Sequence, residues 1–150
     1  MKKLFLLLCI GLLTTIASKA QQTTYDSTLA KKLNADEYGM KMYVFVMLKT
    51  GSNTSTDKAA KEKAFAGHMK NIQHMADNGK LAVAGPFENG DTHRGIFIMN
   101  VTTFEEAAKL LEADTAIKEK YLEPEMTLWY GSASLMETPE IHKKLQKKNF

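Results

Sequence analysis

Two kinds of hydrophobic spacing follow each other in the central part of the chain. Residues 42–48 form a nearly continuous apolar run, rich in β-branched and aromatic side chains, which is typical of a strand buried on both faces or at a subunit interface. Polar residues at 51–57 then supply side chains suited to capping a helix. From 58 to about 78 the apolar positions recur at helical spacing, and Gly79 is a suitable C-terminal cap. The pattern therefore predicts a strand, a loop and a long helix.

A hairpin and a second helix are predicted next. Residues 81–85 form a short apolar strand that ends at Pro86, since proline cannot donate to a ladder. After a turn-rich loop that contains Asn-Gly, residues 95–101 form a strand that pairs back. Thr103 and Glu106 have the spacing of a capping box, which indicates the start of a helix. We expect this helix to turn four side chains towards the core: Phe104, Ala107, Ala108 and Leu111.

The remaining segments complete a six-element order. A break at 112–114 precedes a short helix through Leu122, and the last strand is predicted at 126–133. The order β-α-β-β-α-β is that of an α+β, ferredoxin-like fold, a four-stranded antiparallel sheet with helices on one face. Because the strands are apolar on both faces of the sheet, the face without helices must also be buried against another layer. We therefore expect a homodimer in which two sheets face each other.

The N-terminal segment differs in composition from this domain. Residues 1–20 have the order of a secretory signal peptide, with lysines, an apolar run and small residues before a cut after Ala20. The run is too short, and its flanks are wrong, for a membrane-spanning helix, although a retained amphipathic anchor is the alternative. We predict an exported protein, periplasmic or secreted, with no stable membrane anchor after cleavage. The mature chain then divides into a linker at 21–38, one domain at 39–136 and a basic tail at 137–150.

Removal of the signal peptide also changes the charge and the cysteine count. Of the 20 basic residues, three (Lys2, Lys3 and Lys19) lie in this segment, whereas none of the 17 acidic residues does. The predicted mature chain is therefore near neutral, which gives no support for nucleic acid as a partner. Its single cysteine, Cys9, is removed as well. An exported domain without disulfides depends on its core or on a partner subunit for stability.

A set of motifs in this order resembles the YCII-related (YciI-like) family. The motifs are a histidine on the first long helix and the segments GKLAVAGPF, GIFIMNV, TFEEAAKLL and EADTAIKEKYL, which together cover roughly residues 40–135. The resemblance implies a ferredoxin-like dimeric α+β barrel. It also implies an active site built from a histidine and an aspartate, which fall on His68 and Asp114 of this chain.

The activities implied by the resemblance are varied. One characterised branch is similar to a dehydrochlorinase acting on a chlorinated hydroxyquinol, and relatives of the wider barrel class include isomerases and monooxygenases of small aromatic compounds. This chain departs from the family in its export signal and its long basic tail, which argue against a cytosolic catabolic role.

The two candidate catalytic residues each have a structural alternative. His68 shares the apolar stripe of its helix with Phe65 and Ile72, so it is either packed at the helix–sheet boundary or an acid/base group that exchanges a proton with substrate. Asp114 precedes Thr115 as a helix N-cap would, and the same carboxylate could orient the imidazole. The enzyme hypothesis is a cofactor-independent elimination or isomerisation of a small polar or aromatic molecule. The alternatives are a binding module without turnover and a purely structural homodimer.

Four further residues are candidates for the substrate site. Gly85 and Pro86 end a strand and could shape the mouth of a pocket, while Phe87 and Tyr43 could line it, although aromatic residues in strands are more often core. The sequence shows no metal-ligand cluster, phosphate loop or dinucleotide fingerprint, so we expect neither a metal nor a cofactor.

Overall fold

A computed structural model of the chain describes residues 24–148. The predicted signal peptide lies outside the described residues. Four strands form one antiparallel sheet in the order β2-β3-β1-β4. The strands are β1 (Met40–Thr50), β2 (Leu81–Pro86), β3 (His93–Met99) and β4 (Leu122–Ser132). This arrangement confirms the predicted α+β, ferredoxin-like fold.

Helices occupy the connections and both ends of the described chain. Each predicted helix is present, and the predicted linker contains one more. The α-helices are α1 (Ser27–Leu33), α2 (Lys58–Asp77), α3 (Phe104–Leu111), α4 (Thr115–Lys118) and α5 (Thr138–Leu145). A 3-10 helix, Ala133–Glu137, leads into α5. No helix between residues 24 and 148 is long and apolar enough to cross a membrane.

The helix ends follow the capping residues of the sequence. The Asp57 carboxylate accepts the N–H of Ala60 at the start of α2, and Gly79 adopts a φ of 65° just after its end. Thr103 accepts the N–H of Glu106 at the start of α3, which is one half of the predicted capping box, whereas the Glu106 carboxylate accepts Lys80 Nζ at 2.8 Å. These local bonds fix where α2 and α3 begin, and so which of their faces meets the sheet.

The main core lies between the sheet and the helices α2, α3 and α4. Alternate residues of β1, Val44, Val46 and Leu48, are buried in it. From β3, Phe97 and Met99 join the same core. This is the sheet face on which the functional candidates of α2 and α4 lie.

The opposite sheet face carries a smaller cluster of buried residues. Tyr43, Ala82 and Ile98 form it, and Leu135 and Met136 of the 3-10 helix pack against it. The sequence predicted that a second subunit covers this face. In the structure, the C-terminal segment of the same chain covers part of it.

Two details of the second half differ from the sequence prediction. Phe104 is 41% exposed rather than turned inward, because it is the first residue of α3 and the inward positions are Ala107 and Leu111. The last strand begins at Leu122, four residues earlier than predicted. Pro124 is tolerated there because β4 is an edge strand and a missing donor can face solvent.

Candidate active site

His68 projects from the inward face of α2. The buried residues of this helix are Ala64, His68, Asn71 and Met75, whose spacings of four, three and four residues define one face. The side chain of His68 is only 10% exposed. The prediction that His68 faces the sheet is confirmed.

Asp114 caps α4 and is fully buried. Its Oδ1 accepts the backbone N–H groups of Ala116 at 3.0 Å and Ile117 at 3.3 Å. The predicted N-cap is therefore confirmed. Two N–H donors at a helix N-terminus also stabilise negative charge on this carboxylate.

The second oxygen of the same carboxylate contacts the histidine. Asp114 Oδ2 lies 2.6 Å from His68 Nδ1, although the two residues are 46 positions apart in the sequence. An ionised carboxylate can only accept, so Nδ1 carries the hydrogen that it donates. This contact leaves Nε2 of the neutral ring with its lone pair free to accept a proton.

The outer nitrogen of His68 reaches the molecular surface. Between residues 24 and 148, no fully enclosed side-chain nitrogen or oxygen lacks a hydrogen-bond partner. Nε2 of His68 makes no hydrogen bond within this part of the chain, so it is not fully enclosed. The pair therefore has a buried end at Asp114 and a solvent-reachable end at Nε2.

Two phenylalanine rings hold the imidazole. Phe97 stacks on it at 5.7 Å between centroids with an interplanar angle of 25°, and Phe65 meets it edge-on at 5.8 Å and 68°. Phe65 also contacts Tyr121 at 6.2 Å. These contacts restrict the ring to one orientation, which the bond to Asp114 then selects.

A second hydrogen bond fixes α4 to α2 beside the pair. Thr115 Oγ1 donates to the carbonyl of Ala64 at 2.6 Å, one turn before His68 on α2. One turn after His68, the amide of Asn71 donates to the carbonyl of Leu110 at 3.2 Å. Sequence reasoning missed Thr115, Asn71 and Phe97 because each looked like an ordinary helix or strand residue. The only signal was that Asn71 shares the inward face of His68.

The predicted substrate-binding residues do not all lie near the pair. Tyr43 is fully buried on the opposite sheet face, where its hydroxyl donates to the carbonyl of Ser132 at 2.9 Å. The structure therefore separates Tyr43 from His68, and burial raises the pKa of its hydroxyl.

The three residues of the Gly-Pro-Phe corner lie at the end of β2. Pro86 is on the same sheet face as Phe97, because Ala84 pairs with Phe97 and side chains alternate along the strand. Gly85 falls on the other face by the same alternation, and Phe87 is 44% exposed just beyond the strand. No hydrogen bond or ring contact joins these three residues to His68 in the described chain.

Two depressions on the described surface do not include His68 or Asp114 in their linings. One, of about 350 Å³, lies between α2 and α3 and is lined by Asn71, His74, Glu106, Lys109, Leu110 and Ala113. The other, of about 210 Å³, lies beside Lys41 and Asn100. Among residues 24–148 no group of three or more metal-ligating side chains is close enough to hold a metal ion.

Comparison with known proteins gives no assignment for this arrangement. No family model matches the chain, and no curated protein matches it. The resemblance to the YciI-like family therefore stays a prediction from the sequence motifs, and the His68–Asp114 pair has to be interpreted from its own geometry.

Proposed function

We propose that this protein is an exported, YciI-like enzyme that works without a cofactor. His68 is the general base and acid, and Asp114 orients it for elimination or isomerisation of a small polar or aromatic molecule. The observation that supports this proposal is the 2.6 Å contact between Asp114 and His68 Nδ1, with Nε2 at the other end of the ring not fully enclosed and without a hydrogen-bond partner in the described chain.

The chemistry needs only these two side chains. Nε2 removes a proton from a carbon or a hydroxyl of the substrate, and the ring becomes an imidazolium. The carboxylate of Asp114 stabilises that charge through Nδ1–H and does not itself take the proton. In an elimination the electron pair of the broken C–H or O–H bond expels a leaving group, and the imidazolium then gives its proton to that group or to water. In an isomerisation the imidazolium returns the same proton to a different atom.

The surroundings of the pair favour a small, flat substrate. The side chain of His68 is only 10% exposed, and the partly exposed ring of Phe65 meets it edge-on. Aromatic faces offer stacking and edge-to-face contacts to a planar ligand. A substrate approaching Nε2 would therefore meet the partly exposed ring of Phe65 and one basic nitrogen, while Phe97, only 1% exposed, supports the imidazole from within the core.

Proton exchange tests the proposal without knowledge of the full reaction. The protein is incubated in D₂O with a panel of small phenols, chlorinated phenols and carbonyl compounds, and loss of C–H signals is followed by NMR. We expect exchange on at least one compound with wild type and none above background with His68→Asn. The matched control is His74→Asn, which removes an exposed histidine from the same helix and should leave exchange unchanged. Equal exchange by wild type and His68→Asn would reject the catalytic role.

A non-catalytic role is the second candidate, and one observation favours it. The side chain of His68 is only 10% exposed, and neither of the two depressions includes it, so the pair can also serve to join α2 and α4. A small-molecule-binding module would show ligand-dependent thermal shifts that survive His68→Ala. A purely structural homodimer would show no ligand shift, but His68→Ala would lower its melting temperature.

The homodimer belongs to the same proposal. On the sheet face away from α2, Phe45, Met47 and Ile96 are only partly buried and Trp129 is 38% exposed. A second sheet packed there would cover them. Sedimentation equilibrium should give a dimer for wild type and a monomer for Ile96→Lys. Ala66→Lys, at an exposed position of α2, should remain dimeric.

Export is proposed from the composition of residues 1–20. Intact-mass measurement of the protein from an envelope or culture fraction should show a chain that begins at Gln21. A chain that retains Met1 in the cytosol would contradict this part of the proposal.

A further inference from the structure

Helix α5 lies on the domain without burying any of its residues. All eight residues of Thr138–Leu145 are at least partly exposed. Its two large apolar side chains, Ile141 and Leu145, are 53% and 75% exposed, and they are four residues apart on one helix face. Large apolar side chains of a helix normally face the core, so a helix on which both are more than half exposed is a candidate for contact with another molecule.

Positive charge is concentrated around the same two residues. Lys143, Lys144, Lys147 and Lys148 lie within residues 141–148, which contain no acidic residue. Lys143 bonds Glu140 at 3.0 Å and lies 3.8 Å from Asp77. The other three lysines are exposed and form no ion pair within residues 24–148.

The acidic residues of this region lie at the other end of the helix and are paired. Glu137 bonds Lys32 of α1 at 2.8 Å, and Glu140 bonds Lys143. The C-terminal end of α5 and the residues that follow it therefore form a net positive, partly apolar surface. The near-zero charge of the predicted mature chain conceals this local excess.

We propose that the surface formed by Ile141, Leu145, Lys144, Lys147 and Lys148 binds reversibly to anionic phospholipid. Apolar side chains on one helix face with lysines around them suit the boundary between headgroups and acyl chains. Lysines close to an anionic bilayer gain attraction from its surface potential. The helix lies on such a surface rather than crossing it, since eight residues are far fewer than the roughly 20 that a span requires.

Lipid suits this surface better than an acidic protein does. Ile141, Lys144 and Leu145 are exposed on α5, and Lys147 and Lys148 are exposed just beyond its end, so charge and apolar surface lie together at one end of the helix. A fluid anionic bilayer can meet both the lysines and the two apolar side chains of such a surface. The inference is independent of the proposed activity, because no residue of α5 contacts His68 or Asp114 by a hydrogen bond, an ion pair or a ring contact.

Vesicle co-sedimentation tests the inference on the chain from Gln21 to Phe150, which holds all the residues that the structure describes. We expect binding to vesicles of phosphatidylglycerol mixed into phosphatidylcholine, and at least tenfold weaker binding to phosphatidylcholine alone. Raised salt should weaken the binding, because exposed charges are screened. Equal binding to both vesicle types, or binding to neither, overturns the proposal.

Two sets of variants separate charge from apolar contact. Changing Lys144, Lys147 and Lys148 to Gln should weaken binding about a hundredfold, since each lysine near an anionic surface contributes about fivefold. The matched control changes three exposed lysines of α2, Lys58, Lys61 and Lys63, to Gln and should retain binding within a few-fold. An equal loss in both triple variants would show that only net charge matters and would reject a specific surface.

The apolar contribution is tested by Ile141→Gln with Leu145→Gln, which should weaken binding about tenfold. Glutamine keeps a good helix propensity, and circular dichroism checks that the fold is unchanged. Leu29→Gln on α1 is the control, because Leu29 is 42% exposed on a different helix. Unchanged binding of the double variant would show that Ile141 and Leu145 do not insert into the bilayer, and would overturn this part of the proposal. Concentration-dependent dimerisation that requires Ile141 and Leu145 in the absence of lipid would instead assign the surface to a second copy of the chain.

Discussion

Gly67 of α2 lies directly against Thr115 of α4. A Cβ atom on Gly67 would come within 2.0 Å of Thr115 Oγ1 and 3.1 Å of its Cβ. The absence of a side chain at position 67 therefore lets the start of α4 approach α2. The residue after Gly67 is His68 and the residue before Thr115 is Asp114, so this close contact brings the candidate pair together.

Gly67→Ala should destabilise the protein. Overpacking costs about 1–3 kcal/mol, whereas the gain in helix propensity from glycine to alanine is at most about 1 kcal/mol. We expect a lower free energy of unfolding in urea and loss of the His68–Asp114 bond, seen as a change in the ring nitrogen shifts of His68.

The control for this prediction is a double-mutant cycle with Thr115→Ala. That change removes Oγ1, so Gly67→Ala should cost less in the Thr115→Ala background than in wild type. Equal costs in the two backgrounds would show that the close contact does not restrict position 67.

Asp114→Asn should reverse the tautomer of His68. The amide oxygen can still accept the N–H groups of Ala116 and Ile117, so the cap is retained. The amide NH₂ then faces Nδ1, which must become an acceptor, and the ring hydrogen moves to Nε2. A ring in this tautomer cannot act as a base at its exposed nitrogen. Proton exchange should fall by about 10⁴-fold, as for the corresponding change in a Ser-His-Asp triad.

Ring nitrogen chemical shifts measure this change directly. His74 is exposed on the same helix and serves as an internal reference, whose shifts should not move. Asp114→Ala should in addition lose about 1 kcal/mol of cap stability. If the His68 shifts of wild type and Asp114→Asn coincide, the carboxylate does not select the tautomer.

The helices and strands of the fold could be predicted from local sequence patterns, and so could part of the candidate site. The spacing of apolar residues and the capping side chains located α2 and α3 to within a few residues. The N-cap at Asp114 followed from its position before Thr115. The contact between Asp114 and His68 did not follow from spacing, because it joins two helices whose approach depends on the missing side chain at Gly67. Only the family resemblance indicated it.

The position of Tyr43 could not be predicted for a different reason. Residues 42–48 are apolar at every position, so the run lacks the alternation that would assign one face to the helices and the other to a different partner. The early start of β4 was hidden by Pro124 and its two flanking glutamates, which resemble a loop. The face of Tyr43 and the start of β4 both depend on where the strand lies in the sheet. The local sequence pattern does not indicate that position.

Tyr43→Phe should reduce stability without affecting chemistry at His68. The hydroxyl of Tyr43 donates to the carbonyl of Ser132 at 2.9 Å in a buried environment, and losing this bond should cost about 0.5–1.5 kcal/mol. Since Tyr43 lies on the opposite sheet face, proton exchange should be unchanged. Urea unfolding and the D₂O assay check the two expectations. A loss of proton exchange in a fully folded Tyr43→Phe variant would show that Tyr43 does contribute to the candidate active site.

The acid stability of the protein should depend on the contact between Tyr130 and Asp36. The hydroxyl of Tyr130 donates to Asp36 Oδ2, while Oδ1 accepts the backbone N–H groups of Met40 and Tyr38. The bond from Tyr130 is the largest of these effects, and together they hold the pKa of the Asp36 carboxyl below its ordinary value.

The sign of the pH dependence follows from this lowered pKa. The unfolded chain binds a proton at Asp36 more readily than the folded chain does. The contribution to stability is therefore complete above the ordinary carboxyl pKa and is lost as the pH falls below that value and through the lowered folded pKa. Tyr130→Phe removes the largest cause, so the free energy of unfolding should fall less between neutral pH and about pH 3 than it does in wild type. Tyr38→Phe is the control, because Tyr38 is 76% exposed and donates to Asp36 only through its backbone. If the free energy of unfolding of Tyr130→Phe falls as much on acidification as that of wild type, the contact between Tyr130 and Asp36 does not contribute to acid stability.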